Sequence, residues 1–288
     1  MNTRAVNISS LVILLSLISF IAEACVYYLI NQHWISVIAA IILSVGISHF
    51  CLESSLNYGY SFLHAAFMVT ITFIFSVIIY IIQPNRWIPY DFSLVALVLI
   101  NWITPFVYCS IRDLLDRGPR FTGFRDFFSR MSLLFVVFFL FVIIKQYFLT
   151  PIKPPYQELP FGAHNFVPGM TTASYIEFSL YNNIGMTPLF HYMIEMICLG
   201  IPVGFFVRIY GGRFPFLVRL MIYFAIPILL EIFQEITGRG WGDIDDVTMS
   251  LFGILLGVIL YHLMNGISQS VSNREFMMER NQNSNYFS

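Results

Sequence analysis

Apolar residues in this chain come in long, unbroken runs separated by short polar stretches. Eight such runs stand out, at 10–30, 34–52, 62–83, 91–111, 130–149, 188–208, 216–237 and 246–265. A helix of about 20 residues rises about 30 Å, the thickness of the bilayer's hydrocarbon core. The runs are continuous and do not alternate, so they predict helices and not barrel strands. The expected fold is therefore all-α, a polytopic transmembrane helical bundle of about eight spans. The first run could instead be a cleaved signal peptide, because Ala22-Glu23-Ala24 fits an A-x-A site. Only Arg4 precedes it, and the run is long for such a peptide, so a retained helix is expected.

Composition agrees. The 288 residues are 58% hydrophobic and 11% charged, against about 25% charged in soluble domains. This points to a multi-pass membrane protein, expected in the inner (cytoplasmic) membrane. Cys25, Cys51, Cys109 and Cys198 all lie in apolar runs without metal-ligand spacing, which suits small packing residues. The basic residues set an orientation. With eight spans and both termini cytoplasmic, the inner side holds Arg4, Arg112, Arg117, Arg120, Arg125, Arg130, Arg208, Arg213, Arg219, Arg274 and Arg280. The outer side holds only Arg86, Lys145, Lys153 and Arg239. Trp34, Trp87 and Trp241 then sit at the outer interface, as an aromatic belt requires.

Four regions follow: an N-terminal four-helix membrane region (1–111), a basic cytoplasmic linker (112–129), a C-terminal four-helix region (130–266) and a polar tail (267–288) expected to be disordered. The linker serves as a topology signal and touches anionic headgroups. Residues 150–187 read as one long, proline-rich outer loop, expected to be ordered and to cover an outer site. Glu23, His49, His64 and Asn101 are isolated polar residues in the N-terminal half, suited to hydrogen bonds between helices. Pro105, Pro202 and Pro227 are expected to kink or break their helices.

The polar chemistry concentrates between the last two runs. Glu231, Gln234 and Glu235 fall at i, i+3 and i+4, one face of a helix. A short loop follows with Arg239, Asp243, Asp245 and Asp246, and the next helix aligns Asp246, Ser250, Gly253 and Gly257. Intramembrane carboxylates are costly and default to function, against the plainer reading of a structural polar knot that Arg239 closes. Clustered aspartates could attract a hard cation, but a solvated turn with Asp246 capping its helix is simpler, so no metal is expected. His191 and Glu195, at i and i+4 near the outer end of the sixth run, could face the same place. Gly253 and Gly257 form G-x-x-x-G, a close-packing motif. No nucleotide loop, zinc-ligand motif or G-x-S-x-G elbow appears, and no cofactor is expected.

This stretch resembles the signature of the VanZ-like membrane protein family: E-x-x-Q late in one helix, an Arg and an Asp in the loop, then D-x-x-x-N-x-x-G-x-x-x-G. Glu231, Gln234, Arg239, Asp243, Asp246, Gly253 and Gly257 match, and Ser250 stands where the family has Asn. Asn165-Phe166-Val167-Pro168 resembles the family's N-L-x-P-F, and Ile201-Pro202-Val203-Gly204 its F-x-P-x-G. Ahead of Pro202 this chain has Glu195 and Met196 where an Asn is usual. The resemblance covers roughly residues 145–265. Some members of that family are linked to teicoplanin-type glycopeptide resistance. Together, residues and resemblance suggest an outward polar cavity lined by Glu231, Gln234, Glu235, Arg239, Asp243, Asp246 and Ser250, with His191 and Glu195 nearby. Its expected partner is a membrane lipid or lipid-linked cell-envelope precursor, not nucleic acid. A membrane-embedded hydrolase or transferase using carboxylate acid/base chemistry, and a lipid or small-solute transporter, are the alternatives.

Overall fold

The long apolar runs fold as helices in the computed structural model, which describes residues 7–30, 33–82, 92–115, 121–144, 165–237 and 242–277. The helices are α1 (Ile8–Leu29), α2 (His33–Ser55), α3 (Gly59–Ile82), α4 (Phe92–Leu115), α5 (Phe124–Ile143), α6 (Met170–Tyr181), α7 (Thr187–Tyr210), α8 (Phe216–Ile236) and α9 (Ile244–Ser272). All but α6 are long and apolar enough to cross a membrane. No strand occurs among the described residues, only isolated bridges at Asn57–Thr122 and Asn165–Asp243. The chain is a multi-pass helical membrane protein.

The spans turn large apolar residues outward and bury polar groups among the apolar residues of their interior, which a soluble bundle seldom does. α1 buries Val12, Ser16, Ser19, Glu23 and Tyr27 while Leu14, Ile18 and Ile21 are exposed. Lipid tails solvate leucine and isoleucine as well as a protein core does, so packing and hydrogen bonds decide what faces inward.

The chain divides into two compact units. The first comprises residues up to Phe139 together with those from Ser268 onward. Its interior joins helices through the polar residues that appear isolated in sequence. Glu23 accepts from Ser19 Oγ (3.2 Å) and from Asn101 Nδ2 (2.9 Å), and Asn101 Oδ1 accepts from Ser44 Oγ (3.4 Å). His64 Nδ1 lies 2.8 Å from Ser16 Oγ, and His49 Nδ1 lies 2.7 Å from the Tyr108 hydroxyl. At one end, Arg112 pairs with Glu53 (2.7 Å) and Arg274 with Asp113 (2.9 Å). The tail is thus not wholly unstructured: α9 runs on to Ser272, and Phe276 is buried against Phe124 and Phe128. Residues 278–288 lie outside the described set.

The second unit, Leu140–Ile267, holds α6, α7, α8 and most of α9. The stretch expected as a single loop contains a helix, α6. Pro105, Pro202 and Pro227 all lie inside continuous helices, so none ends its helix; in a membrane span, neighbouring helices can satisfy the carbonyl a proline frees.

Candidate functional site

Asp243, just ahead of α9, organises the site. Its Oδ1 accepts the Asp245 backbone N–H at 2.9 Å, which is how an N-cap satisfies an orphan donor of the first turn. The cap of α9 is therefore Asp243 and not Asp246, which is the third residue of the helix itself. The Asp243 carboxylate also accepts from Thr171 Oγ1 (2.5 Å) and Asn165 Nδ2 (3.0 Å). Backbone bonds fix the same segments. Asn165 N–H donates to Gly242 O, and Ile244 N–H donates to Asn165 O, each at 3.0 Å.

Asp245 reaches to another helix. Its Oδ1 accepts from Gly169 N–H (2.6 Å), and its Oδ2 accepts from Thr171 N–H (2.9 Å) and Thr172 N–H (3.2 Å). These are first-turn donors of α6, where a negative charge is favoured by the helix dipole. Gly169 has φ +85°, a left-handed backbone that glycine adopts without strain. With both oxygens so used, Asp245 is a clamp between α9 and α6. No group of three or more His, Cys, Asp or Glu side chains is placed to hold a metal ion among the described residues.

Glu231, buried near the end of α8, accepts the Asp243 N–H through Oε2 at 3.2 Å. Asp246, half-buried, accepts the Tyr192 hydroxyl through Oδ1 at 2.5 Å. Tyr192 stacks on Tyr175 of α6, with ring centroids 4.8 Å apart and planes 17° apart. Burial first, then the charges of Asp246, Glu195 and Asp243, push the Tyr175 phenol up to about 12, so it is a neutral donor at physiological pH.

The structure therefore gathers Glu231, Asp243, Asp246 and Glu195 into one acidic cluster at the starts of α7 and α9 and the end of α8. Gln234 is half-buried on α8, while Glu235 and His191 are exposed. Ser250 is buried one turn into α9. Arg239 lies outside the described residues. Sequence reasoning missed Thr171, Tyr175 and Tyr192, hydroxyl donors that belong to no motif, and it missed the clamp made by Asp245.

The cluster depends on a close crossing of α7 and α9. A Cβ on Gly200 would strike Ser250 O, and one on Gly204 would strike Ile254 O. On the facing helix, a Cβ on Gly253 would strike Ile197 O, and one on Gly257 would strike Ile201 O. Two G-x-x-x-G motifs thus mesh, one on each helix, and backbone meets backbone. The sequence reading noted only the α9 motif.

Residues 127–265 match the model of the VanZ/LLP1 family. No curated protein and no solved structure matches the chain. The matched region takes in the whole acidic cluster and both glycine motifs, so over residues 127–265 the chain is similar to the VanZ/LLP1 family.

Proposed function

We propose that this protein binds the headgroup of a cell-envelope lipid or lipid-linked glycan at the acidic cluster, from the outer face of the cytoplasmic membrane. The observation that carries the reading is the contrast among the carboxylates. Asp243 and Asp245 have oxygens committed to α6, α9 and Asn165. Glu231 and Asp246 each engage one described partner through one oxygen. The remaining oxygens, Glu231 Oε1 and Asp246 Oδ2, accept from sugar hydroxyls or peptide N–H groups of the ligand. Arg239, three residues beyond the end of α8, supplies the charge for a phosphate, with a planar fork suited to two oxygens. The excess of basic residues on the opposite side supports an outward site, and the family's link to glycopeptide resistance fits an envelope ligand.

The test is lipid that co-purifies with the protein, identified by mass spectrometry. One envelope lipid is expected at near-stoichiometric level with the natural chain, and at least tenfold less with Asp246→Asn at unchanged thermal stability. An equal lipid profile in the two proteins would reject the site. A Trp241→Cys variant checks the orientation: a membrane-impermeant thiol reagent should label it in intact cells, and labelling only after permeabilisation would reverse the topology.

A further inference from the structure

The amphipathicity of α6 is inverted. Its buried residues are Thr171, Tyr175 and Ser179, a hydroxyl-bearing stripe at four-residue spacing. Its exposed side carries Met170, Ala173, Ile176, Leu180 and Tyr181, flanked by exposed Phe166, Val167 and Ile184. A helix facing water would present the opposite pattern. Twelve residues rise only about 18 Å, too short to cross the hydrocarbon core.

Position settles which apolar medium is in reach. The start of α6 is clamped to the start of α9 by Asp245. Its end leads through residues 182–186 into α7, and Tyr175 stacks on Tyr192 in the second turn of α7. α6 is thus fixed at both ends to the terminal turns of two spans, at the level where the bilayer ends. Along its exposed side, Ala173, Ile176, Glu177, Leu180 and Tyr181 form an open, shallow, largely apolar face. The stretch 166–186 contains no Lys or Arg, and Glu177 is its sole charge.

We propose that residues 166–184 lie in the headgroup layer of the membrane, with α6 parallel to the surface and its apolar face against the acyl chains of zwitterionic phospholipid. The lack of basic residues and the presence of Glu177 disfavour an anionic headgroup. α6 is then a wall with two faces, hydroxyls toward the acidic cluster and an apolar face toward lipid. This placement holds whatever ligand the cluster takes.

Spin labels on Ile176→Cys and Leu180→Cys test it, with exposed Cys25 and Cys198 replaced by Ser and the protein reconstituted in phosphatidylcholine vesicles. Both labels sit at exposed positions, so folding is not at stake. Collisions with oxygen, which concentrates in lipid, are expected to exceed collisions with a water-soluble nickel chelate several-fold at both positions. Dominant nickel collisions would put α6 in water and overturn the proposal. Low collision rates with both reagents would show this face covered by protein, such as a second copy of the chain, and would overturn it equally.

Discussion

Asp243 and Asp245 stand two residues apart and do different work. Asp243 caps its own helix, while Asp245 turns outward to cap α6, with partners that lie more than 70 residues earlier in the chain. The D-x-D-D pattern marks the place but not the division of labour. That division is set by which carboxylate faces the incoming Gly169–Thr172 turn, and the docking of Asn165 on the α9 start decides it. Loss of a capping carboxylate costs about 1–2 kcal/mol, and charge-assisted bonds raise the figure toward about 3 kcal/mol. Asp245→Ala is therefore expected to lower the unfolding temperature in detergent clearly. Adding a chelator should leave both proteins unchanged. A chelator-dependent shift in the natural chain that Asp245→Ala abolishes would assign these oxygens to a metal instead.

At the scale of elements, the crossing of α7 and α9 is the joint that brings Tyr192 to Asp246. Gly200→Ala and Gly253→Ala each place a methyl group against a facing carbonyl, and the helices must separate to admit it. Such overpacking costs roughly 1–3 kcal/mol. Gly46→Ala in α2 meets nothing within 4 Å and should be neutral or stabilising, since alanine favours a helix by up to about 1 kcal/mol. Thermal unfolding of the three variants checks the contrast; equal effects would mean that α7 and α9 do not meet through these glycines. The eight spans were legible because continuous apolar runs of bilayer length have few other uses. α6 was not, because its hydroxyl stripe is short, its outer face is apolar, and it follows a proline-rich stretch that reads as loop. The α7 glycine motif was hidden by Pro202 inside it, which drew attention as a breaker.

For the whole molecule, the long apolar spans, the polar groups buried among them and the match over residues 127–265 describe a membrane protein whose candidate site lies at one end of its C-terminal unit. The residues of the acidic cluster were largely legible, since Glu231, Asp243 and Asp246 stood out as carboxylates in apolar surroundings. Their neutral partners were not, since nothing local distinguishes Thr171 or Tyr192 from other hydroxyls. The central claim is that Glu231 and Arg239 serve one ligand. Two residues that hold one ligand lose it together when either is removed, so the two losses should not add. The direct measurement is the amount of co-purified envelope lipid in the natural chain, Glu231→Gln, Arg239→Ala and the double variant, each at matched abundance and folding. Each single change is expected to reduce the lipid at least tenfold, with the double variant no lower than the worse single. Multiplying losses, or a natural level of lipid in either single variant, would contradict a shared site.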